Sequence, residues 1–476
     1  MSFDYKLLIG GKWVDGEKKI EVKNKYNNQA IGTVPLTDEN LYEKAIKSAQ
    51  EGFSIMSRLP SHKRSEILKK ASSLIAKNQK NLEETIAQEA GKPLKFSRAE
   101  VKRAVQTFKF ASEEAKQIHG QTIPMDAASG GENRIGFYMR FPVGIIGAIS
   151  PFNFPLNLVA HKVAPAIACG NSVVLKPATM TPLTSLKLGE ILMEAGLPKG
   201  GLNIIIGPGS TVGNWLVKDP RIQMLTFTGS PPVGKNIKQN SGLKKVTLEL
   251  GNNSPCIVDK DCDLDFATQR CVVGSFAYSG QVCISVQRIY VHKDIFKKFT
   301  SDFLERTKNL KVGDPLDEDT DVGPMITEGE AKRTEEWVEE AIEGGAKILI
   351  GGKREGAIYY PTVLTGVEPE MKVVNTEIFA PVVSIIPFDD FSDAVRMADD
   401  SVYGLQAGVF TQDINKAFQA VKGIKVGGVI VNDIPTYRVD HMPYGGVKES
   451  GIGREGLKFA VEEMTDIRMV VINLPE

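Results

Sequence analysis

Hydrophobic positions change rhythm several times along the 476-residue chain. Between residues 7 and 35 they come in short runs around turns, Leu7-Leu8-Ile9 before Gly10-Gly11 and Trp13-Val14 before Asp15-Gly16, which predicts short strands in a small sheet. From about Asp38 to His119 the spacing becomes three and four. Leu41, Ala45, Ala49 and Phe53, then Ile67, Leu68, Ala71, Leu74 and Ile75, mark packing helices with charged outer faces. Residues 121–139 break that rhythm. Asp126-Ala127-Ala128-Ser129-Gly130-Gly131 reads as a turn, flanked by extended stretches from Gln121 to Met125 and from Arg134 to Met139.

Beyond Arg140, apolar runs alternate with helical segments. The runs are Val143 to Ile149, Ser172 to Leu175, Asn203 to Ile206 and Met224 to Phe227, and the helices fall near 155–168, 181–195, 210–217 and 233–240. Continuous apolar strands separated by helices predict an α/β fold with a parallel sheet covered on both faces, where ligands sit in crevices at the carboxyl ends of strands. A second alternating series starts near Ser254 and runs through Ile289, Lys347, Val382, Ala407 and Gly428, which predicts a second α/β domain. After a helix from about Glu455, residues Thr465 to Leu474 return to strand character and are expected to pair with the 121–139 excursion of another subunit.

The length suggests two or three domains, and 42% hydrophobic, 24% charged residues and 45 glycines describe a soluble α/β enzyme rather than a fibrous or disordered chain. Basic and acidic residues number 58 each, so no net field favours nucleic acid or an anionic membrane. Five cysteines without a CxxC or a Cys/His cluster argue against disulfides and a metal site, and place the chain in a reducing cytoplasm. No export signal or membrane span is expected.

Three stretches suggest chemistry. Ser275-Phe276-Ala277-Tyr278-Ser279-Gly280-Gln281-Val282-Cys283 brings a thiol to the end of a run of small residues, read as helical, that leaves space around the sulfur. Phe227-Thr228-Gly229-Ser230-Pro231-Pro232-Val233-Gly234 is a strand end, a glycine turn and a helix start whose free N–H groups can receive a pyrophosphate. The glycines of Ile206 to Gly213, Gly209 among them, are one residue off the usual dinucleotide spacing.

Taken in order, Pro151-Phe152-Asn153-Phe154-Pro155, Lys176-Pro177-Ala178, Phe227-Thr228-Gly229-Ser230, Leu248-Glu249-Leu250-Gly251, Gly280-Gln281-Val282-Cys283 and Glu377-Ile378-Phe379-Ala380-Pro381 resemble the signature segments of the aldehyde dehydrogenase superfamily. Pro443-Tyr444-Gly445-Gly446 and the residues after it extend the resemblance over nearly the whole chain, and its overall look is that of the branch with lactaldehyde and non-phosphorylating glyceraldehyde-3-phosphate dehydrogenases. The resemblance implies a Rossmann-like cofactor domain (1–120 and 140–248), an α/β catalytic domain (249–454) and a split β oligomerisation arm (121–139 and 455–476), in a homodimer or homotetramer. It also implies Cys283 as nucleophile, Glu249 as general base for the deacylating water, and Asn153 with the Cys283 backbone N–H as oxyanion hole. Lys176, Thr179, Phe152, Gly209, Gly229, Ser230, Glu377 and Phe379 are then the cofactor residues. Ala380 and Asn252 stand where the family usually has glycine.

Many NAD-preferring relatives carry Glu where this chain has Thr179, so nothing there repels a 2′-phosphate and NADP joins NAD as an expected cofactor, with Lys162 or Lys187 as candidate helpers. Arg438 is the candidate substrate residue, holding an anion or hydroxyl at the far end of a short aldehyde, with pairing to Asp440 as its alternative use. Two other functions stay open on these residues: a CoA-acylating dehydrogenase and a cofactor-independent cysteine esterase.

Overall fold

The computed structural model describes residues 3–475; Met1, Ser2 and Glu476, the outermost ends of the expected segments, lie outside the described residues. Two large sheets organise the chain. The first has eight strands in the spatial order Gly451–Ile452, Lys245–Glu249, Met224–Thr228, Ile145–Ile149, Ser172–Lys176, Leu202–Ile204, Leu7–Ile9 and Lys12–Val14. Its five central strands are parallel, and the edges add antiparallel pairs. Ile145–Ile149, Ser172–Lys176 and Met224–Thr228 are buried along their whole length, as continuous apolar runs in a sheet covered on both faces should be. The helix Asn157–Cys169 is buried throughout and ends at Gly170, whose φ of 86° closes it in the left-handed conformation that glycine permits.

Among these parallel strands Ile145–Ile149 comes first in the chain, yet it lies between Ser172–Lys176 and Met224–Thr228. The chain therefore adds strands first on one side of it, through Leu202–Ile204, and then crosses to the other, and a crevice opens between the ends of Ile145–Ile149 and Met224–Thr228. Asn153 follows one of those ends and Ser230 the other.

The second sheet has seven strands, in the order Lys347–Ile350, Thr362–Thr365, Val382–Phe388, Val286–His292, Ser254–Val258, Gln406–Phe410 and Gly428–Val431. Its pairs are parallel except at the Lys347–Ile350 edge. Gly451–Ile452 lies inside the segment expected to be catalytic but pairs with Lys245–Glu249 in the first sheet. Tyr278, Val282, Ile284 and Tyr444 belong to the first sheet's hydrophobic core, so the loops around Cys283 are anchored where the two sheets meet.

A separate three-stranded sheet joins Gln121–Ile123, Arg134–Pro142 and Thr465–Asn473. The tail, expected to pair with another subunit, runs antiparallel to its own chain from Thr465 opposite Pro142 to Asn473 opposite Arg134. The reason is local. The Met464 carbonyl accepts hydrogen bonds from the Val143 N–H (3.3 Å) and the Asn171 side chain (3.0 Å), which delivers the tail beside Arg134–Pro142.

Candidate active site

Cys283 owes its position to an unusual turn. The helix Leu264–Phe276 ends, and Tyr278, Ser279 and Gly280 follow with φ of 49°, 54° and 67°. The expected helical run is thus a left-handed turn, a conformation that costs non-glycine residues roughly 1–2 kcal/mol each. Long-range bonds hold it: the Tyr278 hydroxyl donates to the Ala90 carbonyl (2.8 Å) and the Ser279 hydroxyl to the Gly323 carbonyl (2.7 Å), both buried. Gly280 packs on the Ala380 carbonyl so closely that any Cβ would overlap it. The small residues therefore admit the loop carrying Glu377 and Phe379 as well as leaving room at the sulfur.

A cavity of about 460 Å³ opens at the crevice between the strand ends, and Phe152, Asn153, Gly229, Ser230, Cys283, Glu377 and Phe379 all line it. The buried Asn153 amide donates to the Gln281 carbonyl (2.9 Å), which leaves its second N–H for a ligand oxygen. Phe152 and Phe379 meet edge to face at 5.9 Å. Glu377 accepts from the Asn252 N–H (2.9 Å), and burial raises its carboxyl to about 7. Asn252 itself is built in: its amide donates to Ser254 (2.6 Å) and accepts from the Leu405 N–H (3.3 Å).

Glu249 ends the strand Lys245–Glu249, and its neighbours Leu250 and Gly251 reach the cavity wall. Both of its carboxyl oxygens are buried without a hydrogen-bond partner. Burial, with the Glu455 charge added, raises this carboxyl well above the usual range, against the pull of Arg438, Lys162 and Arg454. A buried, unpartnered carboxyl costs free energy, so an incoming water or substrate would find an acceptor that nothing else occupies.

The remaining cofactor candidates surround the first sheet's strand ends. Lys176 is buried, reaches only the Pro177 carbonyl (3.2 Å), and is lowered to about 8 by burial. Its side chain runs beside Gly213 in the turn that starts at Gly209. Thr179 donates to the Gly207 carbonyl (2.8 Å), and Ser230 caps the helix Pro231–Asn240 without a side-chain bond to it. A buried ammonium without a carboxylate and a hydroxyl where a carboxylate would exclude a 2′-phosphate fit a phosphorylated dinucleotide; the helix start offers fewer donors than expected, because Pro231 and Pro232 carry no N–H and the Gly234 N–H bonds the Ser230 carbonyl (3.0 Å). Lys162 and Lys187 do not join them. Lys162 is paired with Glu455 (3.1 Å) and Thr228 (2.7 Å), and Lys187 with Asn81 and Thr85 (2.6 Å each).

Beside the thiol lies a chain of charges. Tyr444 Oη is 3.1 Å from Cys283 Sγ, and the Arg438 guanidinium stacks 3.6 Å from the centre of the Tyr444 ring. Arg438 donates to Glu455 (3.0 Å) rather than to Asp440; its side chain is 4% exposed and its Nε has no partner. Asp440 instead receives Arg103 (2.7 Å), Asn157 (3.0 Å) and His161 (2.8 Å); burial raises its carboxyl, but His161 and Arg103 outweigh it and hold it below the usual range. Burial pushes Glu455 up, but Lys162, Arg438 and His161 outweigh it and hold it at about 2.

The profile of the aldehyde dehydrogenase family matches residues 13–470. The chain belongs to this family. It is 50% identical over 470 residues to the 3-sulfolactaldehyde dehydrogenase of Priestia aryabhattai, covering 99% of this chain and 98% of that protein. Aldehyde dehydrogenase 21 from Physcomitrella patens, solved in complex with the reaction product succinate, superposes with a TM-score of 0.97 at 43% identity, covering 99% of each chain. Glyceraldehyde-3-phosphate dehydrogenase GapN from Methanocaldococcus jannaschii, complexed with NADP, gives 0.92 at 42% identity over 96% of this chain and all of that one.

In this aldehyde dehydrogenase, sequence reasoning missed the residues that adjoin Cys283 and Glu249 from far along the chain. Tyr444 and Gly445 sit in a family-like motif, Pro443-Tyr444-Gly445-Gly446, that by itself implies no role for either. Their spacing carries no signal that the phenol meets the sulfur, or that a Cβ on Gly445 would come 2.9 Å from Glu249 Oε1. Glu455 and His161 had no signal at all.

Proposed function

We propose that this aldehyde dehydrogenase oxidises a short aldehyde bearing a carboxylate, sulfonate or phosphate to the free acid, through an adduct on Cys283 that water releases. One observation carries the reading: the Cys283 thiol and the Asn153 amide share one cavity wall, with the unpartnered Glu249 carboxyl near enough to act on the thiol electrostatically. Cys283 attacks the aldehyde carbon, and the free Asn153 N–H receives the developing oxyanion; such a donor contributes roughly 3–4 kcal/mol to a transition state. Ser230 and Glu377 on the cavity wall, with the buried Lys176 at its strand end, would hold a nicotinamide cofactor, and Thr179 would admit either NAD or NADP. When bound, the cofactor accepts the hydride, which turns the Cys283 adduct into a thioester. Glu249 takes a proton from the water that resolves it, and it is this base that favours water over CoA. A cysteine esterase needs an imidazole on its nucleophile, but the side chain bonded to Sγ among the described residues is a phenol.

Arg438, the residue expected to hold the substrate anion, is not among those lining the Cys283 cavity: it lies behind the Tyr444 ring with its guanidinium on Glu455, and it lines a separate cavity of about 470 Å³ with Lys102, Arg103 and His441. The three relatives named above support an anionic substrate, since each name carries a sulfonate, a carboxylate or a phosphate. The arm sheet exposes Ile467, Met469 and Val471 on one face and Ile135, Met139 and Ile472 on the other, apolar groups that a second copy would cover, so a homodimer or homotetramer built through the arm is part of this reading. Among the described residues no helix is long and apolar enough to cross a membrane, and a nucleophilic thiol suits a reducing compartment such as the cytoplasm.

The test is kcat/KM for lactaldehyde, glyceraldehyde-3-phosphate, succinate semialdehyde and sulfolactaldehyde, each with NAD and NADP, read as reduced nicotinamide absorbance. A lead of about 100-fold, roughly 2.7 kcal/mol, for an anionic aldehyde is the expected result. Equal rates for neutral and anionic aldehydes sink the reading of an anionic substrate.

A further inference from the structure

We propose that Tyr444 is a catalytic residue of this enzyme: its phenol donates a hydrogen bond to the Cys283 thiolate, and Arg438, stacked on the phenol ring, strengthens that donor. This rests on Cys283 being the nucleophile. Tyr444 Oη lies 3.1 Å from Sγ, within hydrogen-bonding reach of a sulfur, and both groups sit in the contact zone between the two sheets. While Cys283 is a thiol, either group can donate. Once the sulfur ionises it can only accept, so the bond strengthens with charge and favours the thiolate.

The groups around the pair set its polarity. Tyr444 faces Cys283, Arg438 and Glu249, and burial, the largest influence, raises the phenol well above 10. It therefore remains a donor and never acts as a base. The groups acting on Cys283 are Tyr444, Arg438, Glu377 and Glu249. Burial pushes the thiol up to about 11; the Tyr444 bond and the Arg438 charge pull it down, and the two carboxyl groups oppose them. Arg438 is fixed in this task from behind by Glu455 at 3.0 Å, with its guanidinium 3.6 Å from the ring centre. A cation on the face of a phenol draws electron density from it and makes its O–H a better donor. Phenylalanine would fill the same space and keep the stack, so the hydroxyl is the part with a chemical consequence.

The experiment is Tyr444→Phe in the full-length enzyme. Ionisation of Cys283 is read as ultraviolet thiolate absorbance, taken as the difference from Cys283→Ser in the wild-type and the Tyr444→Phe backgrounds. Alkylation of the Cys283 peptide by iodoacetamide, followed by mass spectrometry, is read alongside it. Between about pH 7 and 10 the variant should show about tenfold less thiolate, equivalent to about one pH unit, and a matching fall in alkylation rate. Melting temperature and NADP binding should match wild type, which separates this role from a structural one. Superimposable thiolate titrations in the two backgrounds overturn the proposal. Turnover retained by Cys283→Ser is a different failure, since it would remove the nucleophile itself.

Discussion

Two buried carboxylates near the thiol have opposite fates. Glu249, at a strand end of the first sheet, has no hydrogen-bond partner on either oxygen and is raised well above the ordinary carboxyl range. Glu455 is as deeply buried, but Lys162 and Arg438 close on it at 3.1 and 3.0 Å and hold it at about 2. Similar burial thus yields one group left reactive and one locked into the architecture. The difference is a matter of partners, and it separates chemistry from support in this site: an unpartnered buried acid stores a cost that a substrate or water can relieve, whereas a paired one has nothing left to offer.

The sharpest way to test that division starts at the sulfur. Cys283→Ala should abolish aldehyde oxidation altogether while NADP binding, followed by fluorescence, persists. Glu249→Gln comes next. Loss of a general base should slow steady turnover by about 10²–10⁴-fold, yet a first burst of reduced nicotinamide should survive because thioester formation precedes its step. The same variant should melt at or above wild type at neutral pH, since ionising a raised carboxyl opposes folding once the pH exceeds its unfolded value.

Glu455→Gln should do the reverse. Removing one partner leaves Lys162 and Arg438 buried without a carboxylate, a loss of about 3–5 kcal/mol visible in urea unfolding at neutral pH. The sign with pH follows from its lowered value: the stabilisation is present above the unfolded carboxyl pKa and is lost as pH falls toward about 2, so wild type and variant should converge in acid. If Glu249→Gln proved the more destabilising of the two, the division would be wrong. The smallest effect is expected at Thr179→Glu, where a carboxylate placed beside the adenosine end should lower kcat/KM for NADP by about tenfold or more and spare NAD, because it repels only the 2′-phosphate.

Much of this site was legible beforehand because its parts are local in the chain. Each signature segment sits at a strand end or turn, and the cavity gathers Phe152, Asn153, Gly229, Ser230, Cys283, Glu377 and Phe379 from them. The left-handed turn at Tyr278 and Ser279 was not legible, since its cost is offset by Ala90 and Gly323, far away in sequence. Nor was the pairing of Arg438: Asp440 was the near neighbour, but Arg103, His161 and Asn157 had already filled it.

By itself, then, the sequence determined the alternation of strands and helices, the family, and the segments that bring Asn153 and Cys283 to one cavity. These follow from side-chain periodicity and from short motifs, both properties of neighbouring residues. Tertiary structure alone decided which carboxylate is paired, which cation each pairs with, and that a phenol 161 positions from Cys283 rests on its sulfur. Those outcomes depend on charge and desolvation summed over groups that only folding brings together.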